Sequence, residues 1–236
     1  MMNKCLDGKL AVVTGGTRGI GRAIAQALMD EGAGVAICGR SDEACRRAVD
    51  ELVSSGGLCI AKACDVSNPE QVAAFFDWAD KHLGGLDILI NNAGVGLFKP
   101  VGEMTVEEWH SVIDTNLNGT FYCSRQALSR FRKRGGGFIV NISSLAGKNP
   151  IAGGAAYNAS KFGLNGFSEA MMLDHRYDNV RVSYVMPGSV ATEFMSGEAD
   201  WKIAPADVAR IVLDILRMPE RTLISRVEVR PSRPRK

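Results

Sequence analysis

The chain has 236 residues, 46% hydrophobic and 23% charged, a balance that supports a buried core and excludes a disordered polyelectrolyte. Lys and Arg total 28 against 26 acidic residues, and a net charge of +2 provides no global field toward nucleic acid or anionic lipid. The longest apolar stretches, near 10 to 13 and 86 to 90, are too short for a membrane span, and the first residues carry no signal-peptide pattern, so a cytoplasmic protein is expected.

In chain order, a strand-like run at 10 to 14 (LAVVT) passes through a Gly-rich turn into a helical pattern over 19 to 31. A second strand at 34 to 38 is followed by a helix over 42 to 55, and a third at 58 to 63 by a helix over 69 to 83 that Ser67, Asn68 and Pro69 open. The fourth strand, 86 to 91, leads to a long helical pattern over 105 to 133, where Thr105 and Glu108 have capping-box spacing. The fifth, 138 to 143, precedes a helix over 155 to 176. The sixth, 180 to 186, is followed by a helix over 206 to 217 opened by Pro205, and a last strand spans 225 to 229.

Near-continuous Val, Ile and Leu runs, rather than strict alternation, indicate strands covered on both faces, as in a parallel sheet between helices. The fold class is therefore α/β, a single doubly wound domain over 1 to 236 with a basic tail from about 231, in which two prolines prevent a regular continuation. Ligand is expected at the carboxyl ends of the strands, where strand order reverses. Cys5, Cys38, Cys45, Cys59, Cys64 and Cys123 contain no Cys-x-x-Cys pair, and His82, His110 and His175 do not join them in metal-site spacing; reduced thiols, mostly in the core, and no metal are expected.

The turn after the first strand reads Thr14-Gly15-Gly16-Thr17-Arg18-Gly19-Ile20-Gly21. Glycines at 15, 19 and 21 permit a tight turn and close approach of a phosphate, and the following helix presents free N–H groups to it. A dinucleotide pyrophosphate suits that chemistry, and the missing Gly-Lys-Ser/Thr excludes a Walker-type loop. The second strand ends Cys38-Gly39-Arg40-Ser41 without a carboxylate at its tip. Arg18 and Arg40 therefore point to the 2′-phosphate of NADP(H); the alternative is a solvated Arg40 with Asp42 or Glu43 on the ribose hydroxyl, although both carboxylates suit the first turn of a helix.

Tyr157 and Lys161 stand four apart in a helical pattern and so share a face. Ser144 lies just past the fifth strand, and Asn91-Asn92-Ala93-Gly94 closes the fourth at the same sheet edge. A carbonyl accepting hydride needs a proton, and an unperturbed Tyr with a pKa of about 10 matches that task poorly near neutrality. A nearby Lys161 cation is expected to lower the Tyr157 pKa, making Tyr157 the acid for reduction and base for oxidation, with Ser144 stabilising the developing oxyanion.

TGGTRGIG, NNAG, Asn116, Ser144, Tyr157-x-x-x-Lys161 and Pro187-Gly188 together resemble the short-chain dehydrogenase/reductase family, in order and spacing, over nearly the whole chain. The resemblance implies a Rossmann-type domain with a seven-stranded parallel sheet, and hydride transfer between a nicotinamide cofactor and a small-molecule alcohol or carbonyl. It also implies that Lys161 holds the nicotinamide ribose and that Asn116 keeps a proton-relay water near the lysine. Thr17 and Ile20 belong to the phosphate turn; Asp65 and Val66 match the adenine end, Asn91, Ala93 and Gly94 the cofactor support, and Pro187, Gly188, Val190 and Thr192 the nicotinamide end.

The segment TEFMSGEADWKIAPAD after Pro187-Gly188 is short, so an open cleft is expected, with Phe194, Met195 and Trp201 as candidate wall residues. The reactive motifs are similar to those of 3-oxoacyl-(acyl carrier protein) reductases, but the ending SRVEVRPSRPRK looks more like the 3-hydroxy acid dehydrogenase branch. Arg130, Arg132, Lys133 and Arg134 could receive an acidic carrier protein, yet they also complement a helix carboxyl end, the preferred reading. A non-catalytic NADP-binding scaffold is the alternative from another class. No nucleic-acid or membrane partner is expected, and a homodimer or homotetramer is.

Overall fold

A computed structural model describes residues 4 to 54, 56 to 194 and 200 to 234. Seven parallel strands, β1 (Leu10–Thr14), β2 (Gly34–Gly39), β3 (Cys59–Ala63), β4 (Ile88–Asn91), β5 (Gly137–Ile142), β6 (Val180–Pro187) and β7 (Arg226–Val229), form one sheet in the order β3-β2-β1-β4-β5-β6-β7. Val13 of β1 pairs with Ile37 of β2 on one side and Ile90 of β4 on the other, so the order reverses at β1. The strand ends diverge there and leave a crevice at the carboxyl edge.

The helices are α1 (Gly19–Asp30), α2 (Asp42–Val53), α3 (Pro69–Leu83), α4 (Val106–Ile113), α5 (Gly119–Arg134), α6 (Ala155–His175) and α7 (Pro205–Leu216). Alternation along each strand sends successive side chains to opposite layers. Val13, Ile37 and Ile90 meet Ile24 and Leu28 of α1 and Val212 of α7 in one core. Val12, Leu89 and Ile139 meet Phe75 and Phe76 of α3 and Phe131 of α5 in the other. All three phenylalanines are below 2% exposed, and burial of each contributes about 2–3 kcal/mol. These two layers make the strand edges rigid enough to position a site.

Local chemistry sets the boundaries. Ser41 caps α2 through Ala44, Asn68 caps α3 through Gln71 with Pro69 in the first turn, and Thr105 and Glu108 form a reciprocal capping box on α4. The long pattern over 105 to 133 is not one helix: a π-helical turn, Asp114–Asn118, separates α4 from α5. One wide turn inserts residues without breaking the apolar stripe, so hydrophobic periodicity does not reveal it. Arg130 bridges Asp77 and Asp80 of α3, each at 2.7 Å, and Arg134 pairs with Asp87 at 2.9 Å. Half of the basic cluster therefore ties α5 to its own chain.

Candidate active site

The carboxyl edge of the sheet opens into a cavity of about 880 Å³ that runs past the phosphate turn, the ends of β2, β4, β5 and β6, and the start of α6. Gly15, Thr17, Arg18, Gly19 and Ile20 line it at one end, beside Cys38, Gly39 and Arg40. Gly15 and Gly19 have φ of +62° and +54°, a conformation that disfavours any side chain. A Cβ on Gly15 would stand 2.9 Å from the Ala93 Cα, so glycine also lets β1 and β4 close together. Gly21 does not line the cavity; a Cβ there would fall 2.3 Å from the Gly15 carbonyl, making it a packing glycine of the same turn.

Unlike α2, α3 and α4, helix α1 has no side-chain cap and no acidic residue in its first turn. Its free N–H groups, with the positive end of the helix dipole, open at the cavity wall through Gly19 and Ile20. Arg18 is held at 2.6 Å by Glu193, whereas Arg40 has no ion-pair partner among the described residues. Asp42 and Glu43 lie in the first turn of α2 and not on the cavity wall. These groups fit a dinucleotide pyrophosphate with an additional phosphate at its adenosine end.

The loop after β4 separates two adjacent asparagines. Asn92 lines the cavity and donates to the carbonyls of Thr14 and Gly15 at 3.0 and 3.1 Å, while the Thr14 hydroxyl accepts from the Asn92 and Ala93 amides. Asn91 faces away, donating to Ser124 and Asn141 at 3.1 and 2.9 Å inside the α5 layer. Asn92, not singled out as a site residue, is thus the one that latches β1 to β4 at the cavity floor. Strand alternation offers the signal: neighbouring residues at a strand end face opposite layers.

Asn116 sits in the π-helical turn at 0% exposure. Its amide accepts from Val95 N at 2.8 Å and donates to Val95 O at 2.9 Å and to the Ser160 hydroxyl at 3.0 Å. It therefore fastens the loop bearing Ala93 and Gly94, both cavity residues, to α6. Asp65 and Val66 also line the wall, and the Asp65 carboxylate closes a turn by accepting from the Ser67 amide and hydroxyl at 2.9 and 2.7 Å. Pro187, Gly188, Val190 and Thr192 line the opposite side, and Thr192 accepts from Phe194 N.

Ser144, Tyr157 and Lys161 meet at the inner end. Ser144 follows β5 and accepts from Ala146 N at 3.1 Å; Tyr157 and Lys161 lie one turn apart on α6. The Lys161 ammonium is buried, 5.8 Å from the Tyr157 ring centre, and donates to the Ile142 carbonyl at 3.0 Å. That carbonyl is its one hydrogen-bond acceptor among the described residues, which leaves donors for a ligand hydroxyl. Burial pulls Lys161 down to about 8. The Tyr157 phenol moves opposite to expectation: burial pushes it above its ordinary value, with the neighbouring Ser144 hydroxyl acting against the rise. The ammonium is turned to Ile142, and desolvation of the phenol dominates.

Met195 lies outside the described residues. Phe194 and Trp201 line the cavity as wall residues, joined by Phe98, Ile151 and the chain end, Arg230, Pro231 and Pro234. Pro231 and Pro234, at the start of the basic tail, therefore lie against the cavity.

The family model for short chain dehydrogenases matches residues 9 to 203. The chain belongs to the short-chain dehydrogenase family. Over 221 residues it is 36% identical to a 3beta-hydroxysteroid dehydrogenase of Mediterraneibacter gnavus, covering 93% of this chain and 80% of that protein. A metagenomic short-chain oxidoreductase solved in complex with NADP superposes with a TM-score of 0.88 at 41% identity, covering 98% of this chain and 100% of that one. An actinorhodin polyketide ketoreductase variant solved with NADPH gives a TM-score of 0.88 at 30% identity, covering 94% and 96%. As in this family generally, the chain is an oxidoreductase, and the described residues contain no helix long and apolar enough to cross a membrane.

Proposed function

We propose that this short-chain dehydrogenase is an NADP(H)-dependent carbonyl reductase in which Tyr157 gives the proton. The observation that carries the reading is the convergence of Ser144, Tyr157 and the buried Lys161 at the inner end of the cavity whose other end holds an uncapped helix terminus and Arg40, without an ion-pair partner among the described residues. The NADP complexes of its structural relatives support the same cofactor. When bound, NADPH supplies the hydride for the carbonyl carbon.

The protein supplies the remaining steps. Ser144 donates a hydrogen bond to the carbonyl oxygen, strengthening as negative charge develops there. Tyr157, a protonated phenol at neutral pH whose burial raises its pKa further, then transfers its proton to that oxygen. Lys161 holds a ribose hydroxyl with its spare donors, and its charge stabilises the phenolate left behind. Asn116 positions the loop carrying Gly94, whose missing side chain leaves room above the Lys161 ammonium. In oxidation the order reverses, and the raised phenol pKa makes that direction favour alkaline pH.

A carrier-protein substrate draws no support from Arg130 and Arg134, which are tied to acids of their own chain. The six free thiols, five of them buried, support a reducing, cytoplasmic setting. Phe121 and Phe162 on α5 and α6, exposed by 45% and 46%, and Leu173 at 56% support a homo-oligomer through that face, which light scattering of the purified chain reads directly. The deciding assay is a carbonyl panel, including a 3-oxoacyl thioester and 3-hydroxy acids, run with NADPH and with NADH. Reduction of no carbonyl by either cofactor overturns the reading.

A further inference from the structure

The outer half of the cavity has a distinctive surface. Phe98, Phe194 and Ile151 line it and remain 43%, 43% and 48% exposed, so three large apolar side chains ring the mouth. Phe98 and Phe194 stand 5.4 and 5.9 Å from Tyr157, ring centre to ring centre, and flank it. Both converge on Gly96, where a Cβ would fall 2.7 Å from Phe194 Cζ and 3.0 Å from Phe98 Cε2. Glycine at that position is what lets the two rings reach the reactive tyrosine.

The facing wall comes from the far end of the chain. Gly188 N donates to Val229 O at 2.8 Å, fixing the exit of β7 against the end of β6. Pro231 then packs where a Gly188 side chain would stand, its Cδ 3.2 Å from that position, and Pro234 continues the lining. Neither proline has an N–H, so at these two positions the wall offers ring carbon and no backbone donor. Nearby, Lys148 and Arg230 share the Glu228 carboxylate at 2.6 and 2.9 Å, and Glu193 is paired with Arg18. Ser143 is likewise turned away, donating to Asn165 at 2.6 Å. The exposed rings and the proline offer a ring system apolar contact that a small polyhydroxylated substrate cannot use, and such a ring would cover the aromatic rim.

We propose that the substrate is a bulky apolar ketone, alicyclic or aryl, and that Phe98, Phe194 and the C-terminal Pro231 set this specificity. The ring system lies between the aromatic rim and the proline wall, with its carbonyl directed inward to Ser144 and Tyr157. The inference rests on the reductase reading of the same site.

The test compares 2-tetralone with hydroxyacetone as substrates of the full chain with NADPH, and measures calorimetric binding of 2-tetralone to protein saturated with NADP+. Expected is a kcat/KM for 2-tetralone at least about thirtyfold above that for hydroxyacetone, the scale that several buried methylenes provide. Phe194→Ala should cost about tenfold, mainly in KM, with the NADPH dissociation constant within about twofold. Pro231→Ser keeps the chain length and should raise KM for 2-tetralone by several-fold. Equal or better use of hydroxyacetone would overturn this proposal and leave the reductase reading intact. Binding of 2-tetralone without turnover of any carbonyl would overturn the reductase reading and leave the apolar site standing. Absence of 2-tetralone binding would overturn the proposal outright.

Discussion

Arg18 and Glu193 stand 175 positions apart in the chain and meet at 2.6 Å, closing an ion pair across the cleft between the phosphate turn and the segment after β6. The side chains are 65% and 74% exposed, so the pair contributes only about 0–1 kcal/mol to stability. Its importance lies in what it does to Arg18, whose guanidinium must be shared between a carboxylate and any incoming phosphate.

Glu193→Gln should free Arg18 and tighten NADPH binding by about two- to fivefold at low salt, with the melting temperature nearly unchanged. Cofactor fluorescence titration measures this. An unchanged dissociation constant would mean that Arg18 does not meet the phosphate.

Arg40 carries the complementary prediction. It lines the cavity at the end of β2 without an ion-pair partner among the described residues, and the parent should therefore bind NADPH at least about tenfold more tightly than NADH. Arg40→Asp should move the preference toward NADH by repelling the 2′-phosphate and accepting from a 2′-hydroxyl. Equal affinities of the parent for the two cofactors would remove the basis of the assignment.

Lys161 is a buried charge held at a cost to the fold. Its ordinary pKa of about 10.5 is retained when the chain unfolds, while burial lowers it to about 8 in the folded state. Between those values the unfolded chain binds the extra proton, so this group makes stability rise with pH from about 8 to 10.5; below 8 both states are protonated and the full desolvation cost applies. Lys161→Met should thus raise stability at pH 7 by about 1–3 kcal/mol while abolishing turnover, with the advantage shrinking toward pH 10. Urea denaturation at both pH values tests it, and a variant less stable than the parent at pH 7 would contradict the account. Reduction by the parent should also decline above about pH 8 as the ammonium loses its proton.

The seven strands, the Gly-rich turn and the Tyr157–Lys161 pairing were legible because each rests on neighbours in sequence: apolar runs for buried strands, glycines before a helix, a four-residue helical spacing. The motif points to Asn91 rather than Asn92 for the cleft, and that expectation failed because it followed the motif and not the alternation of side chains at the strand end. The π-helical turn at Asn116 was hidden by an apolar pattern that continues across it. Pro231 reaches Gly188 only because β7 pairs beside β6, a tertiary fact that prolines in an isolated tail do not announce. The direction of the Tyr157 shift was missed for a related reason: spacing places a cation nearby, but the packed site decides that desolvation outweighs it.

The measurement that bears most directly on the central claim is the turnover of Tyr157→Phe with a ketone the parent reduces. Loss of one hydroxyl leaves the ring between Phe98 and Phe194 and should preserve folding and NADPH binding. If Tyr157 is the proton donor, kcat falls at least about a hundredfold while the NADPH dissociation constant stays close to that of the parent. If the variant reduces the ketone as fast as the parent, with a deuterium isotope effect showing hydride transfer to be rate-limiting in both, the proton comes from elsewhere and the assignment of the site is wrong.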